Sequence, residues 1–371
     1  MTGYRPWLDW LKVLGMAVII FGHTGGERFL MGVFSPINSK QLGVALFVFV
    51  TAFTLAKETR PGPRVVFNRF FEVAVLGLLL SLVLSIVQLI RIGSPNLTNY
   101  LPYFFGINVV WENAFPANPT TWYVGTYLHL LVVWAVGLRY LPSETSWFAV
   151  FVFCVIVCEI GVRACLIAID RDFTAYMILT SWLTIFMVGT SMGHRLGSDS
   201  TRPLWLTSRP VLRRGLVILA GIAMLGGWYS LVQTLQISRS NPFGRIVVGE
   251  TAVTAIVTSA SVTLLYLVHT LLVIGFVFGL PAGRFVRFLA ANTLFVFLAH
   301  MPVHDWVTPL YYPLVPNPWW RQVANFVVLF VGLAVVSAAL RRGLRLTRLR
   351  DRLAAMCFGT SEPAVRNPSV V

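Results

Sequence analysis

The sequence predicts an all-α integral membrane bundle of about ten transmembrane helices, and three observations carry that prediction. Hydrophobic residues make up 57% of the chain and charged residues only 12%, where a soluble domain carries about 25% charged. Apolar runs long enough to cross about 30 Å of hydrocarbon recur along its whole length. The basic residues gather in alternate loops, so the formal charge of +15 reads as the cytoplasmic face of a polytopic protein rather than as a nucleic-acid surface. Membrane lipid is therefore an expected partner, and nucleic acid is not.

The apolar runs fall at 8–24, 41–56, 70–92, 122–141, 147–169, 174–193, 215–236, 250–280, 288–304 and 322–340. The run at 250–280 is long enough either to tilt strongly or to break. Loops between the runs are mostly short, which predicts one transmembrane domain over 1–345, followed by a basic cytoplasmic tail over 346–371 that is expected to be disordered. With the N-terminus in the cytoplasm, 21 of the 29 Lys and Arg residues fall on the inner side. That bias is expected to place both termini on the cytoplasmic side of the membrane.

The first run differs from the others because Asp9, Lys12 and His23 stand in or beside it. An ionisable group within a span is costly, and so it points to function. Lys12 and His23 are eleven residues apart. At 100° and 1.5 Å per residue they share one helix face to within about 20° and are separated by about 16 Å along the axis. A cation thus stands near one membrane surface and an imidazole near the other.

The longest loop, 93–121, combines Asn96, Asn99, Asn108, Asn113 and Asn118 with Tyr100, Tyr103, Phe104, Phe105 and Trp111. Amides pair with hydroxyls and rings stack on the apolar faces of sugars, so this outer loop reads either as a sugar-facing lid, with Asn108 as a binding residue, or as a surface loop with interfacial aromatics.

Other polar residues have structural readings. Glu159 and Arg163, at i,i+4, are expected to pair. Arg69 and Glu72, at i,i+3, pair in one reading; in the other, Arg69 joins Arg60 and Arg64 in a phosphate-holding cluster. Cys154, Cys158 and Cys165 lie on one span with poor geometry for a disulfide and read as small packing residues. His194 is expected to be solvated and His269 packed. His23, His129 and His300 come from three separate spans with no close-spaced pair, so a proton-accepting imidazole is expected and a metal is not.

Several stretches, in order along the chain, resemble one family. Leu8-Asp9-x-Leu11-Lys12, with ten residues before His23, resembles the basic-x10-His signature of the membrane acyltransferase 3 family. Residues 45–53, ending Thr51-Ala52-Phe53, stand where the family has an aromatic run ending Ser-Gly-Phe, and Arg69 resembles its basic residue entering the third span. Thr121-Trp122-Tyr123-Val124 and the late span 292–303, with His300-Met301-Pro302, complete the likeness. Departures are Thr51-Ala52 for Ser-Gly, Phe297 where a Tyr is usual, and Lys12 for the commoner Arg.

The resemblance implies an acyltransferase that moves an acyl group, acetyl or succinyl, from cytosolic acyl-CoA to a hydroxyl of an extracytoplasmic glycan or glycolipid. It implies His23 and Asp9 as catalytic residues, Lys12, Arg69 and Arg64 as donor-binding residues, and Trp122 and His300 beside Asn108 as substrate-binding residues. His23 acts either as a general base or as the acyl carrier. Acyl-CoA enters as co-substrate, with no metal. Two other classes compete. A secondary transporter of a small anionic solute should show Gly- or Pro-interrupted spans at matching places in two halves, which the sequence lacks; a scaffold has no need of Lys12 and His23 on one face.

Overall fold

The computed structural model describes residues 4–25, 39–94, 100, 106–110, 121–141, 146–196, 209–235 and 251–359, and among them the chain is helical with no strand. It divides into two compact units, each assembled from separated stretches. One comprises Arg5–Lys57 and Leu141–Val286; the other comprises Met1–Tyr4, Glu58–Tyr140 and Arg287–Val371.

The first unit contains α1 (Pro6–His23), α2 (Ser39–Leu55), α5 (Ser146–Ala168), α6 (Asp172–Met177), α7 (Leu183–Arg195), α8 (Pro210–Leu235) and α9 (Ala252–Val277). Pro6 opens α1, where its missing N–H costs nothing, and Asp9 lies in the first turn, where a carboxylate suits the helix dipole. The helix α2 lies between α1 and α7 and is packed on both sides through glycines. A Cβ on Gly43 would stand 2.4 Å from the Gly15 carbonyl oxygen and 2.6 Å from Ile19, and Cβ atoms on Gly189 and Gly193 would stand 2.7 Å from backbone oxygens of α2. Small residues spaced by four are a common way for membrane helices to bring their backbones together.

Gly43→Val is accordingly expected to push α1 off α2, because neither a backbone oxygen nor the buried Ile19 can yield. The cost is about 1–3 kcal/mol, read as a lower unfolding midpoint of the purified protein; an unchanged midpoint would show that the two helices separate freely.

The second unit contains α3 (Gly62–Ile92), α4 (Trp122–Val136), most of α10 (Arg284–Tyr311), α11 (Pro318–Asn325), α12 (Leu333–Gly343) and α13 (Leu346–Phe358), with a π-helical stretch, Phe326–Gly332, between α11 and α12. Its core is built on Val73, Val124 and Leu298, with Phe70, Leu78, Tyr127 and Leu294 packed around them. The helices α3 and α4 run antiparallel: Gly62 lies against Ala135 and Val73 against Val124.

Among the described residues, six helical stretches are long and apolar enough to cross a membrane, at Gly62–Ile92, Phe148–Ala168, Pro210–Gly227, Ala252–Val277, Arg284–Leu314 and Pro318–Gly343. Ten spans are not confirmed. The shortfall has local causes. The helix α1 carries Asp9, Lys12 and His23, and α4, at 15 residues, reaches only about 23 Å. The run expected at 174–193 is interrupted: α6 ends at Met177 and a 3-10 turn, Leu179–Trp182, precedes α7. The 250–280 run, by contrast, holds one unbroken helix, α9.

Three expectations about local environment change. Much of the 93–121 loop lies outside the described residues, but Gly106–Val110 turns back onto α4: Val109 is fully buried, and a Cβ on Gly106 (φ +65) would stand 2.9 Å from Gly125. This part is anchored on α4 through Gly106 and Val109 rather than wholly free, while Ile107 and Val110 stay exposed. The cysteines of α5 face outward instead of packing. Residues 346–358, expected as a disordered tail, form α13 because Leu346 and Ala354 are buried and Arg350 pairs with Glu72 of α3; residues 360–371 lie outside the described residues.

Candidate active site

Within the first unit, α1 is fastened at its N-terminal end. Trp7 packs edge-on against Phe53 at 5.0 Å and tilts against Phe278 at 5.7 Å. Trp10 donates its indole N–H to the Pro281 carbonyl at 2.9 Å. Arg5 donates to the Leu196 carbonyl at the end of α7, and both Arg5 and Lys57 lie over the Phe53 ring. Burial, together with the neighbouring Arg5, pushes the Lys57 ammonium below its usual range. With its backbone held this way, α1 fixes the positions of its three ionisable side chains.

Those three do not form one cluster. Lys12 Nζ lies 3.7 Å from Asp9 Oδ1 with a third of the lysine side chain still exposed, whereas His23 is the last residue of the helix. Fourteen residues separate Asp9 from His23, which is about 21 Å along the axis. Asp9 therefore cannot orient the imidazole or touch the same reacting atoms, and its geometry assigns it to Lys12. What α1 provides is a cation and carboxylate at one end and an imidazole at the other.

In the second unit the basic residues at the start of α3 have different commitments. Arg60 forms a fork with Glu58, at 2.7 and 2.6 Å. Burial alone would raise the Glu58 carboxyl, but the hydrogen bonds and charge of Arg60 hold it below its usual range. Arg64 donates to the Gly359 carbonyl at 3.3 Å. Glu72 is held by Arg341 through one oxygen and lies 3.5 Å from Arg350 through the other. Nothing in the spacing of residues pointed to partners for Glu72 as far along the chain as Arg341, 269 residues downstream, and Arg350, because their helices meet α3 only through the tertiary fold. Arg69 sits between Arg64 and Glu72 on α3, at about the level of His129 on antiparallel α4.

Trp122 and His300 belong to this same unit. Trp122 opens α4, is buried, and packs edge-on against Tyr123 at 5.7 Å. Tyr123 in turn meets Phe297 at 5.2 Å, and Phe297 meets the His300 ring at 5.9 Å. Phe297 thus serves as the ring through which Tyr123 and His300 are packed together. His300 is fully buried, and its Nδ1 lies 2.8 Å from the Phe297 carbonyl oxygen. A carbonyl only accepts, so the neutral ring carries its proton on Nδ1 and presents Nε2 as the basic nitrogen. Asn108 falls in a short 3-10 turn, Ile107–Val109, and its side chain lies outside the described residues.

The sequence matches the family profile described as an acyltransferase domain over residues 5–342, nearly the whole chain. The chain belongs to the acyltransferase 3 family. This acyltransferase is an integral membrane enzyme, in keeping with the long apolar helices among its described residues. Comparison with curated proteins and with solved structures finds no match.

Proposed function

We propose that this acyltransferase moves an acetyl or succinyl group from cytosolic acyl-CoA to a hydroxyl of an extracytoplasmic glycan or glycolipid. The observation that carries the reading is the division of labour along α1, with Lys12 and Asp9 near one end and His23 at the other. About 16 Å between Lys12 and His23 is comparable with the reach of a pantetheine arm. The donor's charged end stays on the cytoplasmic side while its thioester reaches the imidazole, and no acyl carrier has to cross the membrane. A transporter needs no such separation of a cation from a proton acceptor on one helix face.

In the proposed reaction His23 accepts the proton of the acceptor hydroxyl as its oxygen attacks the thioester carbonyl. The tetrahedral intermediate collapses, the carbon–sulfur bond breaks, and the proton goes to the departing thiolate, so the products are the ester and free CoA. Lys12, steadied by Asp9, donates charge-assisted hydrogen bonds to the polar part of the donor. Arg64 and Arg69 offer further donors to its phosphates, and Trp122, His300 and Asn108 are assigned to the acceptor. The membrane is the bacterial inner membrane, with both termini cytoplasmic. Reporter fusions after Arg195 and after Asn108 are expected to report cytoplasm and periplasm, and the reverse result would remove the donor route.

Donor titration in proteoliposomes, with acyl-CoA on the cytoplasmic side, tests the assignment. Lys12→Gln and Arg69→Gln are expected to raise KM for the donor about tenfold, the loss of one charge-assisted contact, with a smaller effect on kcat. Binding of a non-transferable CoA thioether should weaken in parallel. A Lys12→Gln enzyme that binds the thioether as wild type does but turns over slowly would show that the lysine is not a donor clamp.

A further inference from the structure

The C-terminal helix α13 has two faces that differ in what they touch. One is seated on α3: Leu346 and Ala354 are buried, Phe358 packs on Phe67 at 5.7 Å, Arg350 reaches Glu72, and Arg64 holds the Gly359 carbonyl that follows the helix. On the other, Leu349 is 43% and Met356 80% exposed. These two are seven residues apart, two turns along one ridge. Beside that ridge stand the exposed Arg348 and Arg352, with Arg342 exposed at the end of α12 and Arg345 exposed in the turn leading in. None of these four guanidinium groups makes an ion pair among the described residues, and Asp351, the only acidic residue of α13, lies against Arg350.

The depth of α13 follows from its contacts. Glu72 lies where the apolar part of α3 begins, and Arg64 lies eight residues nearer the helix start, about 12 Å along the axis. The helix α13, about 20 Å long, begins at the level of Glu72 and ends at the level of Arg64 and Phe67. The zone from the edge of the hydrocarbon outward is the headgroup layer, some 5–8 Å thick on each side. Over that drop of about 12 Å α13 crosses the layer obliquely, with Leu349 near the hydrocarbon edge, and its apolar ridge flanked by arginines is the pattern of an interfacial helix.

We propose that the outer face of α13 is a binding surface for anionic phospholipid, with Leu349 at the edge of the acyl chains, Met356 against the headgroup layer and Arg342, Arg345, Arg348 and Arg352 on the headgroup phosphates. The charge of the face selects anionic over zwitterionic lipid. None of these six residues is among those assigned above to the acyl donor or acceptor.

The test uses the full chain reconstituted in vesicles. Cys154, Cys158 and Cys165 are replaced by Ala, and Cys357 carries a polarity-sensitive fluorophore. Vesicles contain either phosphatidylcholine alone or an equal mixture with phosphatidylglycerol, each with brominated acyl chains as quencher. Quenching is expected to be at least about twofold greater with phosphatidylglycerol, each arginine contributing roughly fivefold to the lipid preference. Raised salt should diminish it, and the paired substitution Arg348→Glu, Arg352→Glu should return it to the phosphatidylcholine value. Equal quenching of the parent protein in the two vesicle types would overturn the proposal whether or not the paired variant folds, and so would phosphatidylglycerol-dependent quenching that survives the charge reversal.

Discussion

His23→Ala is expected to abolish acyl transfer while leaving the protein in the membrane at its normal level. The side chain closes the last turn of α1 and is not part of the buried core that holds α1 to α2, which is built on Leu11, Met16, Ile19 and Ile20. Removing it takes away a proton acceptor without opening a cavity among those residues, and Ala is the best helix former. A positioned base contributes typically 10²- to 10⁴-fold to rate, so product should fall by about that factor. His23→Gln should lower kcat with donor binding retained, because the amide keeps the bulk and loses the basicity. His194→Ala serves as the control: His194 is exposed at the end of α7, and activity should persist. Normal product from a well-expressed His23→Ala enzyme would end the proposed mechanism.

How far the sequence reached differs from residue to residue. The membrane class was legible because composition and run length respond only to the solvent, and hydrocarbon imposes both. The span count was not, since apolarity marks what is shielded from water and not which helix crosses alone. The helix α4 is as apolar as its neighbours yet too short, and the 174–193 run hides a break after Met177. The Lys12 and His23 relation was legible because it lies on one helix and follows from the rise per residue. The resemblance names Asp9 and His23 together as catalytic, yet they stand about 21 Å apart along the axis, about four turns, and Asp9 lies by Lys12. The environment of Glu72 was beyond reach, because Arg341 and Arg350 arrive through packing alone. A signal that was present but not used is Gly189-Thr190-Ser191-Met192-Gly193, a small-xxx-small pattern that seats α7 on α2.

The largest effect on stability is expected at Glu159 and Arg163, whose pairing the four-residue spacing anticipated. Their side chains are 1% and 0% exposed, with 2.7 Å between Nη2 and Oε1. Glu159 also accepts from Thr263 Oγ1 at 2.8 Å and from the Thr184 backbone N–H at 2.7 Å, one of the donors left over at the start of α7. Arg163 donates to the Ser259 carbonyl, Thr263 Oγ1 and the Ser181 carbonyl. Three helices, α5, α7 and α9, are thereby joined at one buried point, and Tyr266, stacked on Trp182 at 5.0 Å, extends the junction to Gln41 of α2. Glu159→Gln keeps the shape but leaves the guanidinium without its counter-charge, and Arg163→Met leaves the carboxylate likewise. Breaking one side of a buried pair costs about 3–5 kcal/mol, whereas removing both charges costs far less than the sum. The Glu159→Gln, Arg163→Met double variant should thus unfold at a higher temperature than either single one. It should still fall below wild type, because the Ser181 and Ser259 carbonyls lose partners they cannot replace with water. Thermal unfolding of the purified protein, arranged as a double-mutant cycle, measures the coupling. Single variants that melt with the wild type would mean that the pair carries none of the packing of this unit.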